Sequence, residues 1–236
     1  GAAGGECVDL VGGEGKLPPV PGGFTVRGVD ASTPGAWASL KAQGVAFTLH
    51  QAVLASRPNK DFALNWRTAK ACGLPRGAYH FLTPKTDPKA QARMFLEQLG
   101  DDRGELLPTL DVELPPGCKG PCCAVSCEGW TAATKAWLDE VEQALGRKVA
   151  VYTVADFWKE CLCNTSRFAD RPLWLAGYPG FDLGLRPGFG GWQRWVFYQY
   201  KGNARLGKSV LDLNVFRDDR AAFEALLGAS AARPAP

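Results

Sequence analysis

Along most of this chain, short apolar runs alternate with amphipathic stretches, and the two periods predict strands and helices in turn. The runs Phe24–Asp30, Val45–His50, Gly77–Leu82, Leu106–Glu113, Lys148–Tyr152, Pro172–Tyr178, Trp195–Tyr200 and Val210–Leu213 read as strands. Between them, Thr33 offers a cap and Pro34 a first turn for a helix that Gly44 stops. Further helices are predicted over Asp61–Cys72, Pro88–Leu99, Trp130–Leu145, Ala155–Cys161 and Asp218–Leu227, with Gly73, Gly100, Gly146 and Gly228 at four of their ends. The clearest is Trp130–Leu145, where Trp130, Trp137, Leu138, Val141 and Leu145 recur at helical spacing and read as core, as does Trp66.

Strands that alternate with helices form a parallel sheet, and about eight of them suffice to close it. The later strands follow one another with little helix between. The expected fold is therefore α/β: an irregular TIM-like (β/α) barrel with about eight strands and fewer helices than a regular (β/α)8. A chain of 236 residues suits one such domain. Residues 1–23 are Gly-rich, end in LPPVPGG and read as an extension or linker, with Cys7 available to staple it back. Residues 24–228 form the barrel domain, and 229–236 read as a loose tail.

Composition adds a core and a compartment. Hydrophobic residues make up 46% of the chain, enough for a large interior, and 28 glycines with 17 prolines indicate many turns and long loops. The net charge of +3 is dispersed, with no basic run and no aromatic RNA-binding signature, so nucleic acid is not the expected partner. Mild basicity would suit an anionic polymer such as a cell wall. No apolar stretch is long enough to span a bilayer and no signal-peptide pattern is seen. The chain is read as a monomer. Eight cysteines, at 7, 72, 118, 122, 123, 127, 161 and 163, are even in number and clustered in loop-like sequence. That favours disulfides and an oxidising compartment, secreted or periplasmic, with connectivity open. Zinc is the competing reading, but C-x3-C-C-x3-C is not a usual zinc spacing and no His lies near it, so no metal is expected.

The chemistry concentrates in Leu107-Pro108-Thr109-Leu110-Asp111-Val112-Glu113-Leu114. Alternation along a strand puts Thr109, Asp111 and Glu113 on one face and Leu110, Val112 and Leu114 on the other. In a barrel the apolar face packs on helices, so the carboxyls point inward at the mouth. Their Cα atoms would lie about 6.5–7 Å apart. Two acids that close resist joint ionisation, which keeps a proton available for a leaving group while one anion steadies positive charge, as glycoside hydrolysis requires. A pair of solvated carboxylates at a strand end would read the same in isolation. The other strand ends add company: Asp30, Tyr79 and His80, Tyr152, Trp174 and Tyr178, Gln199, and Asp212. Aromatic faces with amide and carboxyl anchors suit a sugar, although a buried His80 serves equally well as a structural imidazole.

The motifs RGVDAS, GLPRGAYHFL, LPTLDVEL, PLWLAGY, FYQY and LDLNVF, in that order from about Phe24 to Phe216, resemble glycoside hydrolase family 25, the Chalaropsis-type lysozymes. The resemblance implies an irregular β/α barrel without a cofactor that cleaves the β-1,4 bond between N-acetylmuramic acid and N-acetylglucosamine in peptidoglycan. Glu113 would then be the general acid. Asp111 would stabilise charge at the anomeric carbon, directly or by orienting the acetamido group. Asp30 and Asp212 would line the cleft, and Tyr79, Tyr152, Trp174, Tyr178 and Gln199 are candidate saccharide contacts. Two features depart from the pattern. His50–Arg57 replaces a Lys-containing segment that leads into a Thr/Ser-Glu-Gly turn, and a cysteine-rich insertion follows Glu113. They leave room for a non-catalytic glycan-binding protein, or for a related N-acetylated substrate such as chitin.

Overall fold

The computed structural model describes residues 5–177 and 186–231. Its elements in chain order are β1 (Arg27–Ala31), α1 (Trp37–Ala42), β2 (Val45–Leu54), β3 (Arg57–Pro58), α2 (Phe62–Ala71), β4 (Arg76–Phe81), α3 (Pro88–Leu99) and β5 (Thr109–Val112). A 3-10 turn (Pro121–Ala124) precedes α4 (Cys127–Leu145), β6 (Ala150–Val154), α5 (Ala155–Cys161), β7 (Leu173–Ala176), β8 (Phe197–Leu206), β9 (Ser209–Phe216) and α6 (Arg220–Ala231). Eight strands close in the order β1-β9-β8-β7-β6-β5-β4-β2, with β1 pairing β2, and β3 is a two-residue appendage on β2. Neighbours are parallel from β1 through β2 to β8, while β9 runs antiparallel to both β8 and β1. The reversal follows from the connection. A two-residue turn with Gly207 at φ 57° joins β8 to β9, and only antiparallel strands can be joined so tightly.

Alternation sorts the side chains into two layers. Inward positions stack Phe47, Leu49, Tyr79, Tyr152, Trp174, Phe197 and Phe216, and Phe223 of α6 closes the end where most strands begin. Gly28 is required here: a Cβ on it would stand 2.1 Å from the Phe47 ring, so the absent side chain makes room for the aromatic plug. Outward positions such as Leu110 and Val112 pack on Trp130, Trp137 and Phe95 of the helices.

Several boundaries differ from the sequence expectation. The first helix begins at Trp37, with Ala36 at its cap and no side-chain bond there, because Asn65 Oδ1 instead accepts from Gly35 N and Trp37 Nε1. α4 starts three residues early, where Ser126 Oγ accepts from Gly129 N at 3.1 Å. Strand β2 continues past His50 to Leu54, and Gly228 lies inside α6 rather than ending it. Leu114 was expected to face the helices. The strand stops at Val112 and leaves Leu114 48% exposed.

Four disulfides join Cys7–Cys72, Cys118–Cys123, Cys122–Cys161 and Cys127–Cys163. The first ties the segment before β1 to the end of α2. Asp9 Oδ1 accepting from Ser39 N and Gln43 Oε1 accepting from Leu17 N hold that segment further, and Leu17 is buried with Trp37, Leu40 and Leu206. Two of the others fasten the loop after β5 to α5 and the residues that follow it.

Candidate active site

At the C-terminal end of the parallel strands, inward positions change from apolar to acidic. Asp30 (β1) sits directly opposite Asp212 (β9) in the sheet register, and Asp111 (β5) pairs with Phe81 on one side and Tyr152 on the other. Glu113 follows just beyond β5. A cavity of about 170 Å³ is lined by these four acids together with Tyr79, Tyr152, Trp174 and Gln199, and by Gln51 and Phe81. A larger hollow of about 260 Å³ lies at the opposite end, between Lys41, Gly73 and Arg220; its one carboxylate is Glu224. Size therefore does not mark the chemistry here, and the concentration of acids does.

Hydrogen bonds fix one side of the pit. Asp30 Oδ1 accepts from Asn214 Nδ2 at 2.7 Å and from Gln199 Nε2 at 2.9 Å. Trp174 Nε1 donates to Asn214 Oδ1 and Tyr152 OH to Gln199 Oε1, which sets the orientation of both amides. Gln199 Nε2 also reaches Asp212 Oδ2 at 3.2 Å, and Asn203 N donates to Asp212 Oδ1 at 2.6 Å. The opposite wall is less satisfied. The Asp111 and Glu113 carboxyls share a hydrogen bond, while Asp111 Oδ1 is buried with no partner.

Burial and crowding raise the proton affinity of every acid in the pit. Asp30 is pushed up to about 8, first by burial and then by the Asp212 charge, against the pull of its Asn214 and Gln199 donors. Burial lifts Glu113 to about 7, with the hydrogen bond to Asp111 opposing and Asp212 adding. Asp111 lies well above the carboxylate range, from burial first and the neighbouring Glu113 and Asp30 next. Asp212 is raised by burial, partly offset by the Asn203 N–H. Among the described residues no Lys, Arg or His lines the cavity to compensate. Such a cluster holds protons at neutral pH. Among the described residues no group of three or more His, Cys, Asp or Glu is arranged to hold a metal ion.

Of the ten residues singled out in the sequence, eight converge on this cavity: Asp30, Tyr79, Asp111, Glu113, Tyr152, Trp174, Gln199 and Asp212. His80 does not. Its neighbour Tyr79 points inward, so alternation turns His80 outward, where it is fully buried under α3 and α4. Trp137 Nε1 donates to its Nδ1 at 3.2 Å, and its Nε2 faces Ala55 O and Gln91 Oε1. Tyr178 lies outside the described residues. Gln51 and Phe81 are two lining residues that the sequence reading passed over. Gln51 Oε1 accepts from Asn59 Nδ2 at 3.1 Å, which aims its amide nitrogen elsewhere. The signal for Phe81 was present, since it stands two residues after Tyr79 and shares its face. Gln51 was hidden because the strand was expected to end at His50, four residues short of Leu54.

The molecule has recognisable relatives. It is 30% identical over 216 residues to Lysozyme M1 of Streptomyces globisporus, covering 85% of this chain and 71% of that protein. A muramidase from Acremonium alcalophilum superposes with a TM-score of 0.74 at 28% identity, over 87% of this chain and all of that one. The bacterial lysozyme from Streptomyces coelicolor gives 0.75 at 26% identity, over 87% and 98%. The sequence profile of Glycosyl hydrolases family 25 matches residues 29–208, a span that opens just before Asp30 and takes in Asp111 and Glu113. With that profile spanning most of a barrel whose acids meet at the strand ends, the chain belongs to glycosyl hydrolase family 25.

Proposed function

We propose that this protein is a lysozyme that hydrolyses the β-1,4 bond between N-acetylmuramic acid and N-acetylglucosamine in peptidoglycan. The observation that carries the reading is the hydrogen-bonded Asp111–Glu113 pair at the floor of an acid-lined pit. Its relatives support it: proteins named lysozyme and muramidase share this fold along most of the chain. The pair shares a proton, since burial raises the affinity of both carboxyls above the ordinary range. Transfer along the hydrogen bond delivers it to Glu113, whose affinity near pH 7 suits a general acid. Glu113 then protonates the glycosidic oxygen as the C–O bond breaks. Asp111, now an anion, faces the positive charge that grows at the anomeric carbon, or holds the acetamido group that does so. Water then adds at the anomeric carbon and gives a proton back to Glu113, which completes the hydrolysis.

Asp30 and Asp212 hold the opposite wall, and Tyr79, Tyr152, Trp174 and Gln199 supply apolar faces and polar anchors for the sugar. Four disulfides suit action outside the cytoplasm or in a periplasm. Reducing-end release from purified peptidoglycan, with chitin oligomers in parallel, tests the proposal. Glu113→Gln should cut the rate by at least about a hundredfold, the usual weight of a general acid, with the circular dichroism spectrum unchanged. Release at the parent rate by that variant defeats the assignment of Glu113, and faster cleavage of chitin than of peptidoglycan defeats the assignment of substrate.

A further inference from the structure

An acidic pit repels an anionic polymer unless something around it attracts. Where most strands begin, several cations are paired: Arg76 with Asp102 and Glu105, Lys148 with Asp170, Arg171 with Glu142 and Asp170, and Arg194 with Asp218, while Lys41 and Arg220 have no ion-pair partner among the described residues. At the pit end, Arg57 beyond β2, Lys85 in the loop after β4, Lys119 in the loop after β5, and Lys201, Arg205 and Lys208 on the β8–β9 hairpin are all exposed. Among the described residues none of these six has an ion-pair partner within reach. The acids on the same end are largely committed. Asp61 pairs with Lys60, and Asp87 caps α3 and faces Arg93, which leaves Glu128, Asp156 and Glu14.

The hairpin is the best-defined part of this rim. Arg205 pairs with Val210 in the register, and Val210 lies two residues from Asp212, so Arg205 shares the face that carries Asp212. The opposite face, with Ala204, Leu206 and Leu211, is buried against Leu17 and Trp37. The arm is thus braced from behind by the segment before β1 and presents its cation on the side of the pit.

We propose that this cationic rim, with Arg205 and Lys208 as its principal members, binds the peptide-stem carboxylates of the glycan strand seated in the pit. The inference rests on the peptidoglycan reading above and names the part of that substrate recognised outside the cavity. Carboxylates on the same strand are the occupant because the cations stand on loops and a hairpin at the pit end of the barrel, where groups pendant from a seated sugar must emerge. The attraction acts at long range and is screened by salt.

Cosedimentation with insoluble cell-wall sacculi reads this without turnover. Retention of the wild type should fall steeply as salt is raised, and Arg205→Glu combined with Lys208→Glu should lower low-salt retention about tenfold. The flank pair Lys41→Glu with Arg220→Glu, at the opposite end of the barrel, changes net charge equally and should leave retention near the parent value. Amidating the stem carboxylates should reproduce the loss on unmodified protein. Equal retention by the rim variant and the parent overturns the proposal, as does equal loss in the flank variant. Loss on stripping wall phosphate polymers but not on amidation also overturns it, by placing the anion elsewhere. Should the wild type bind sacculi yet release no reducing ends, the hydrolase reading fails while the binding result still judges the rim.

Discussion

Asp30 is the residue whose surroundings say most about its state. It is 5% exposed, accepts two amide donors on one oxygen, and faces a second acid across the strand pair. With its affinity raised to about 8, it is a neutral acid at pH 6, and asparagine matches it in shape and charge. Asp30→Asn should therefore keep the melting temperature at pH 6 within a degree or two, whereas Asp30→Ala strands the Gln199 and Asn214 donors and should cost about 1–3 kcal/mol. Equal melting temperatures for the two variants would contradict this. His80 shows how far alternation reads a site. The tyrosine before it and the phenylalanine after it face the cavity, so the imidazole between them had to face the helices. Composition alone, an imidazole next to a tyrosine at a strand end, pointed the other way. The four acids were legible for the same reason in reverse: each stands within or at the end of an apolar run at an inward position. What the sequence could not display was that Asn214 and Gln199 orient Asp30, because the three residues meet only through barrel closure.

The elements divide by how local their causes are. α3 was readable to the residue because Asp87 and Pro88 open it and Gly100 closes it, all within its own sequence. α1 was not, since the atom that satisfies its first turn belongs to Asn65, in another helix. The loop after β5 is the least local of all. Cys122, Cys123 and Ala124 adopt φ of 53°, 61° and 56°, conformations that side chains ordinarily avoid and that tertiary crosslinks must hold. Cys122–Cys161 and Cys127–Cys163 supply that hold, and the segment they fix begins immediately beyond Glu113. Replacing Cys127 and Cys163 together by serine frees a loop spanning a sequence separation of 36 and should lower stability by about 2–4 kcal/mol. If the crosslink also positions Glu113, turnover on peptidoglycan should fall at temperatures where the variant remains folded. A variant that melts like the parent would show the crosslink to be superfluous.

For the whole molecule, the buried acids and the buried histidines pull stability in opposite directions with pH. A carboxyl whose affinity is higher in the fold than in the unfolded chain stabilises fully below its unfolded value, near 4, and that contribution is lost as pH rises through its folded value. Asp30 and Glu113 place the loss between about 4 and 8, and Asp111 and Asp212 shift in the same sense. The histidines behave oppositely. Burial lowers His50 to about 3, with Arg76 adding, and His80 to about 4, so each contributes stability above the unfolded value near 6.5 that disappears as pH falls toward the folded one. Between pH 8 and 6.5 only the acids act, and the melting temperature should climb on acidification. Below 6.5 the histidines take up protons in the unfolded chain alone, and the climb should flatten. Combining Asp30→Asn with Glu113→Gln removes two of the groups responsible for the upper limb and leaves the histidines in place. That variant should lose most of the slope above pH 6.5 and fall more steeply than the parent below it. A parent melting curve that instead declines on acidification from pH 8 to 6.5 would mean that the pit is hydrated and its acids ionised, in which case the Asp111–Glu113 pair has no proton to deliver.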